Sequence, residues 1–200
     1  MKSGFVAIVG RPNSGKSTLI NSVLGQQISI VSPKAQTTRD QVLGILTEKE
    51  GQMIFVDTPG VHKAKEGGIN NYMVNQVKEA LEDPQVIWYL VDPASRLPHE
   101  TAVLELLNKT SAPVFILLNK FDQTLKKEVR FPLPVAVFDE LEISLNKAMA
   151  ERGIRVLGTR RISALTRAGI LELLSETWAQ LPEGSPYYPD PEQVSNRPTR

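Results

Sequence analysis

The chain has 200 residues, 41% hydrophobic and 22% charged, with 23 Lys and Arg against 22 Asp and Glu, for a formal net charge of +1. A chain of this length buries about 70% of the surface it exposes when unfolded, so one globular domain is expected and wholesale disorder is excluded. The balanced charge argues against a strongly basic nucleic-acid binder or a polybasic membrane-surface protein. The lack of Cys removes disulfides, thiolate-metal sites and a cysteine nucleophile, and it fits a reducing compartment.

In chain order, residues 5–9 form a first apolar run and predict a strand, and Leu19, Ile20, Val23 and Leu24 mark the apolar face of a helix. Residues 26–39 hold no sustained period and predict a loop. Strands come next at 41–47 and 53–56, read as a hairpin around Gly51. A second loop spans 61–68, and a second helical face carries Met73, Val77 and Leu81. Residues 86–91 predict a strand, and Val103, Leu104, Leu106 and Leu107 a helix. Residues 114–118 give another strand, followed by a solvated loop over 124–134 with Lys126, Lys127, Arg130 and two prolines. Phe138, Leu141, Leu145 and Met149 mark a helix, 155–162 a last strand, and Ile170, Leu173, Leu174, Trp178 and Leu181 a last helix.

Strands apolar throughout fit burial on both faces, and their alternation with helices predicts a three-layer α/β fold with a mostly parallel sheet flanked by helices. Every apolar run falls short of the ~20 residues a membrane helix needs. Gly10 and Arg11 arrive too early for a signal peptide, so a soluble, cytoplasmic chain is expected. From Pro182 the prolines, with Tyr187 and Tyr188, end the last helix and read as unable to continue a sheet. The chain therefore divides into a domain at 1–181 and a linker or tail at 182–200, with no internal repeat.

The chemistry lies at strand ends. Gly10-Arg11-Pro12-Asn13-Ser14-Gly15-Lys16-Ser17, followed by Thr18, is a phosphate-loop pattern between a strand and an amphipathic helix. Its glycines let successive N–H groups turn toward a phosphate, and Lys16 reaches the β- and γ-phosphates. The Ser17 hydroxyl can ligate Mg²⁺. Asp57-Thr58-Pro59-Gly60 closes another apolar strand; Asp57 can hold Mg²⁺ through a water, and the Gly60 N–H can meet a γ-phosphate. Alone that tetrapeptide reads as a turn, and its place after the phosphate loop gives it weight.

Asn119-Lys120-Phe121-Asp122 follows the strand at 114–118. The Asp122 carboxylate can accept from two adjacent N–H donors of guanine, whereas adenine presents an acceptor there and leaves it unpaired. The Asn-Lys pairs at Asn108 and Asn146 lack an Asp two residues on and read as solvated helix surface. Ser163-Ala164-Leu165, after the last strand, fits a loop that backs the base. His62 and His99 read as a solvated loop residue and an exposed helix-start residue.

With Thr37 or Thr38 between the first two, these elements resemble the G1 to G5 set of the translation-factor-related P-loop GTPases, and more narrowly the Era-type GTPases of the TrmE-Era branch. Lys34-Ala35-Gln36-Thr37-Thr38-Arg39, Val61-His62-Lys63 after the Asp57 motif, Leu181-Pro182-Glu183-Gly184 and Tyr187-Tyr188-Pro189 complete the match. The last two stretches are not generic GTPase features. Two departures stand out: the stretch 124–134, and the lack here of the C-terminal RNA-binding KH domain of that family.

The resemblance implies a P-loop NTPase G domain that binds GTP and GDP and hydrolyses GTP as a switch in small ribosomal subunit assembly. It implies phosphate held by Gly10 to Thr18, Mg²⁺ by Ser17, Thr38 and Asp57, and guanine read by Asn119 and Asp122 with Lys120 against the base. Thr37 is the close competitor of Thr38, and the bland reading of both is a pair of β-formers opening a strand. The loops 26–39 and 61–68 become switches ordered by γ-phosphate. The implied partners are the small ribosomal subunit and its RNA, mainly through the missing domain, while peripheral membrane contact finds no support in the residues.

Val61 stands where many GTPases carry a water-orienting glutamine, and valine has neither donor nor acceptor. An Asn13 side-chain oxygen can ligate a monovalent cation, with K⁺ as the candidate; the alternative is that Asn13 caps the loop by bonding nearby backbone. Two rival functions stand beside the switch. One is a related GTPase of another ribosome- or tRNA-linked pathway, against which Tyr187-Tyr188-Pro189 argues. The other is a nucleotide-occupied scaffold with little turnover.

Overall fold

The computed structural model describes residues 1–25, 42–57, 84–124 and 133–187. The helical face at Met73, Val77 and Leu81 and both expected switch loops lie outside these residues. So do Thr37, Thr38, Thr58, Pro59, Gly60, Val61 and His62.

Six strands form one sheet in the order β2-β3-β1-β4-β5-β6. They are β1 (Lys2–Gly10), β2 (Val42–Glu48), β3 (Gly51–Asp57), β4 (Val86–Val91), β5 (Val114–Leu118) and β6 (Val156–Arg161). The β2–β3 pair is antiparallel and makes the expected hairpin; its turn falls at Lys49 and Glu50, so Gly51 opens β3 instead of centring the turn. The remaining pairs are parallel. Helices α1 (Lys16–Leu24), α2 (Leu97–Leu107), α3 (Val135–Ala150) and α4 (Ile170–Gln180) flank the sheet.

Side-chain alternation splits the core between two faces. Ala7, Val9, Ile87, Tyr89, Ile116 and Leu118 pack with Val103 and Leu107 of α2 and Phe138 and Leu145 of α3. Val6, Ile8, Trp88, Leu90, Phe115 and Leu117 pack with Leu19 and Val23 of α1 and Leu173 and Trp178 of α4. Each fully buried aliphatic side chain contributes about 1.5–3 kcal/mol of hydrophobic stabilisation, and two such layers fix which way every strand faces. This is the three-layer arrangement the alternation predicts. Among the described residues no helix is long and apolar enough to cross a membrane.

The parallel register decides where the strand ends meet. Ile8 lies opposite Asp57, Gly10 opposite Leu90, and Leu118 opposite both Val91 and Arg161. The residues after β1, β4, β5 and β6, together with the end of β3, therefore gather at one edge of the sheet.

Three expectations need correction. Residues after Pro182 do continue the sheet: Glu183 bridges antiparallel to Lys2, the Ser3 N–H donates to the Pro182 carbonyl at 3.1 Å, and the Gly184 N–H donates to the Met1 carbonyl at 2.8 Å. The β1–β4 pairing begins only at Val6, so β4 does not cover Ser3, and Pro182 offers it a carbonyl without needing an N–H. Asn146 is not solvated surface, because its amide donates to the Thr159 hydroxyl at 2.9 Å and ties α3 to β6. Thr124 ends a 3₁₀ turn over Phe121–Thr124 instead of opening a loop, and residues 125–132 of the expected loop lie outside the described residues.

Candidate functional site

The loop between β1 and α1 is shaped by two close approaches. A Cβ at Gly10 would lie 2.4 Å from the Leu90 carbonyl oxygen, and one at Gly15 would lie 2.3 Å from Nδ2 of Asn119. Gly15 also has φ 103°, a left-handed conformation that side chains rarely adopt. Asn13 takes a positive φ of 64° as well, which Asn tolerates better than most residues.

Within this loop the Lys16 ammonium is buried and donates to the carbonyls of Gly10 and Arg11, both at 3.0 Å. Its flexible stem is thereby folded back over the loop, with the charge placed at the loop's centre. Ser14 is buried, and among the described residues its hydroxyl has no hydrogen-bond partner, so what it offers the site is backbone. Ser17 and Thr18 stand exposed in the first turn of α1, and Pro12 is half-buried at the rim. Asn13 is exposed, and among the described residues its side chain makes no capping bond to the loop backbone. Asp57 ends β3 at the same sheet edge.

Asn119 joins three segments. Buried at the end of β5, its amide donates to the Ser14 carbonyl at 2.8 Å, and its carbonyl accepts the Ala164 N–H at 2.9 Å. Its own N–H donates to Val91 at 3.0 Å. One side chain thus links the phosphate loop, the β5 loop and the β6 loop. In the β5 loop Lys120 has a positive φ of 63° and its ammonium pairs with Asp92. Asp122 accepts the Ser163 hydroxyl at 2.7 Å, and Ser163 in turn accepts the Thr166 N–H at 3.0 Å. That chain of bonds holds the Asp122 carboxylate against the loop after β6. Ala164 is buried, whereas Leu165 is 67% exposed and takes no part in these ties.

Sequence reasoning missed one group beside the loop. Tyr89, buried in β4, donates to Glu100 at 2.6 Å, and Ser95 donates to the same carboxylate. Burial, and then the Glu100 charge, push the Tyr89 phenol well above its ordinary value, so it stays a donor. His99 is exposed at the start of α2, as its sequence suggests. A carboxylate in the first turn of a helix reads as a solvated dipole partner, and nothing in the sequence marks Glu100 as interior.

Comparisons with known proteins bear on the family and the fold. The family described as 50S ribosome-binding GTPase matches residues 5–120. A relative named GTPase Era from Carboxydothermus hydrogenoformans is 39% identical over 200 residues, covering 100% of this chain and 62% of its own length. The crystal structure of a point variant of Aquifex aeolicus Era bound to GDP.AlF4⁻ aligns with TM-score 0.73 and 37% identity over 94% of this chain and 60% of that one. A structure of Era in complex with MgGDPNP and nucleotides 1506–1542 of 16S ribosomal RNA aligns with TM-score 0.74 and 36% identity, again over 94% and 60%. This chain spans about three fifths of the length of these relatives.

Proposed function

The chain belongs to the 50S ribosome-binding GTPase family as an Era-type G domain, and from that premise we propose that it binds GTP and GDP and hydrolyses GTP as a slow molecular switch. The observation that carries the reading is Asn119, whose amide bonds to both Ser14 and Ala164 and so couples phosphate loop to base loops. In this reading the phosphates lie against the backbone of Gly10 to Thr18 with Lys16. Asn119 and Asp122 read guanine, Lys120 packs near the base, and the Ser163–Ala164–Leu165 loop backs it. Thr37 or Thr38, with Thr58, Pro59, Gly60 and Val61, belongs to the switch loops.

The exposed Ser17 hydroxyl and the Asp57 position at the same edge are hard-oxygen donors, and they fit Mg²⁺. Ser17, Asp57 and Thr38 would hold the ion, and when bound it would neutralise charge on the β- and γ-phosphate oxygens. A solved relative holds MgGDPNP, which supports the same use here. K⁺ has separate support: Asn13 is exposed, held in a left-handed conformation, and not engaged in capping among the described residues. Its side-chain oxygen is therefore available to a monovalent cation.

A relative of this chain was solved with 16S ribosomal RNA. We place the whole protein's work at the small ribosomal subunit, in the cytoplasm, with residues 1–181 as the switch and 182–200 as the link onward. Val61 favours one second reading, a nucleotide-occupied scaffold with little turnover. Single-turnover hydrolysis at fixed ionic strength separates the two, with K⁺ exchanged for Na⁺ in wild type and in Asn13→Ala. The switch reading expects GTP cleavage that K⁺ accelerates in wild type and not in the variant. No cleavage in either salt would leave a scaffold, and cleavage indifferent to the cation would return Asn13 to a structural role.

A further inference from the structure

The turn between β4 and α2 carries none of the motifs above, yet it is bonded to both loops of the site. Asp92 closes the turn, accepting the Ala94 N–H on Oδ1 at 2.9 Å while its carbonyl accepts the Ser95 N–H at 2.8 Å. Its second carboxylate oxygen takes the Lys120 ammonium, which leaves a strand end whose backbone is already in the left-handed region. At the other end of the turn, Arg11 of the phosphate loop donates from Nη1 to the Ser95 hydroxyl oxygen at 3.2 Å. Ser95 passes the contact on to Glu100, and the Arg11 guanidinium stands 3.9 Å from that carboxylate.

Glu100 is 1% exposed. A carboxylate that deep is unfavourable unless its lone pairs are bonded and its charge is met. Tyr89 and Ser95 supply the bonds, and among the described residues Arg11 is the cation facing it. The same guanidinium is part of the phosphate loop, so whatever holds Glu100 also holds the rim of that loop.

We propose that the turn 92–95 with Glu100 sets the position of both nucleotide-binding loops. Ser95 and Glu100 are positioning residues that act through Arg11, and Asp92 is one that acts through Lys120. The inference rests on the nucleotide-binding reading above and adds residues that the motifs do not contain. The two arms have different ligand signatures. The Arg11 arm governs the loop that holds a β-phosphate, so it bears on nucleoside diphosphates and not monophosphates. The Lys120 arm bears on the base, which both carry.

The test is calorimetric titration of the full chain with GDP and with GMP, beside thermal melting of each variant. Glu100→Gln removes the buried charge, and Ser95→Ala, at a partly exposed position, interrupts the same arm with little risk to folding. Both are expected to weaken GDP about tenfold, as loss of a charge-assisted hydrogen bond would, with GMP changed by less than about twofold. Asp92→Asn is expected to weaken GDP and GMP alike. Equal losses on both ligands in Ser95→Ala, or no loss in Ser95→Ala and Asp92→Asn while wild type binds both, would overturn the proposal and leave the turn as packing. A wild-type chain that binds neither nucleotide would instead overturn the nucleotide reading itself.

Discussion

Asn119 commits its amide nitrogen, its side-chain oxygen and its backbone N–H to three different segments, so its removal cannot be local. In Asn119→Ala the Ser14 carbonyl and the Ala164 N–H lose their partner together. A loss of about 1–3 kcal/mol in urea unfolding is expected, with nucleotide affinity falling for mono- and diphosphates alike. Tyr89 sets a pH limit of its own. Its phenol is held protonated above its ordinary value in the folded chain, while the unfolded chain releases that proton near pH ~10. The stability this contributes is therefore fully present below pH ~10 and is lost as pH rises beyond it, because the folded state then binds more protons than the unfolded. Tyr89→Phe removes one donor from the buried Glu100 and should cost about 1–3 kcal/mol at neutral pH. The gap between variant and wild type should narrow above pH ~10 in melts run across the alkaline range. A gap that stays constant would detach Tyr89 from the effect. At this scale the sequence singles out the candidate site residues Lys16, Asn119 and Asp122 by type and spacing. The groups that hold them, Ser163, Asp92 and Glu100, are ordinary residues whose meaning is set by what folds against them.

The elements themselves were legible because hydrophobic period and position agree. The run at 86–91, apolar throughout and too short for an ordinary helix, reads as a strand covered on both faces, and it is one. The segment after Pro182 is not legible in the sequence, because proline lacks the N–H that marks a strand former while keeping the carbonyl that Ser3 uses. That segment lies back along the start of β1, where Tyr187 meets Phe5 edge-on with ring centroids 4.9 Å apart and the Lys2 ammonium donates to the Ala179 carbonyl at 3.2 Å. The site lies at the opposite end of β1, after Gly10. Tyr187→Ala should therefore lower stability by about 0.5–1.5 kcal/mol and leave GDP affinity unchanged. A loss of affinity without a loss of stability would mean that this segment acts on the site. Gly15→Ala, which forces a Cβ toward Asn119 at a left-handed φ, should instead lower stability and nucleotide affinity together.

For the molecule as a whole, charge and topology set what it can do unaided. A net charge of +1 gives little counterion release, so residues 1–200 should hold RNA weakly and lose it by moderate salt. Filter binding of small-subunit RNA across a salt series checks this, and a tight, salt-resistant complex would move the binding surface onto this domain. The parallel sheet brings the loop after β1, Asp57 and the loops after β5 and β6 to one edge, so that residues of four short motifs lie together there. Under the proposed function this site selects guanine through Asp122, oriented by Ser163. Displacement of a fluorescent GDP analogue tests it most directly, with GTP, ATP and xanthosine triphosphate as competitors against wild type and Asp122→Asn. GTP should outcompete ATP by at least about a thousandfold on wild type, and the variant should shift toward xanthosine triphosphate as an acceptor becomes a donor. Equal displacement by ATP and GTP, or a variant with unchanged preference, would contradict the account.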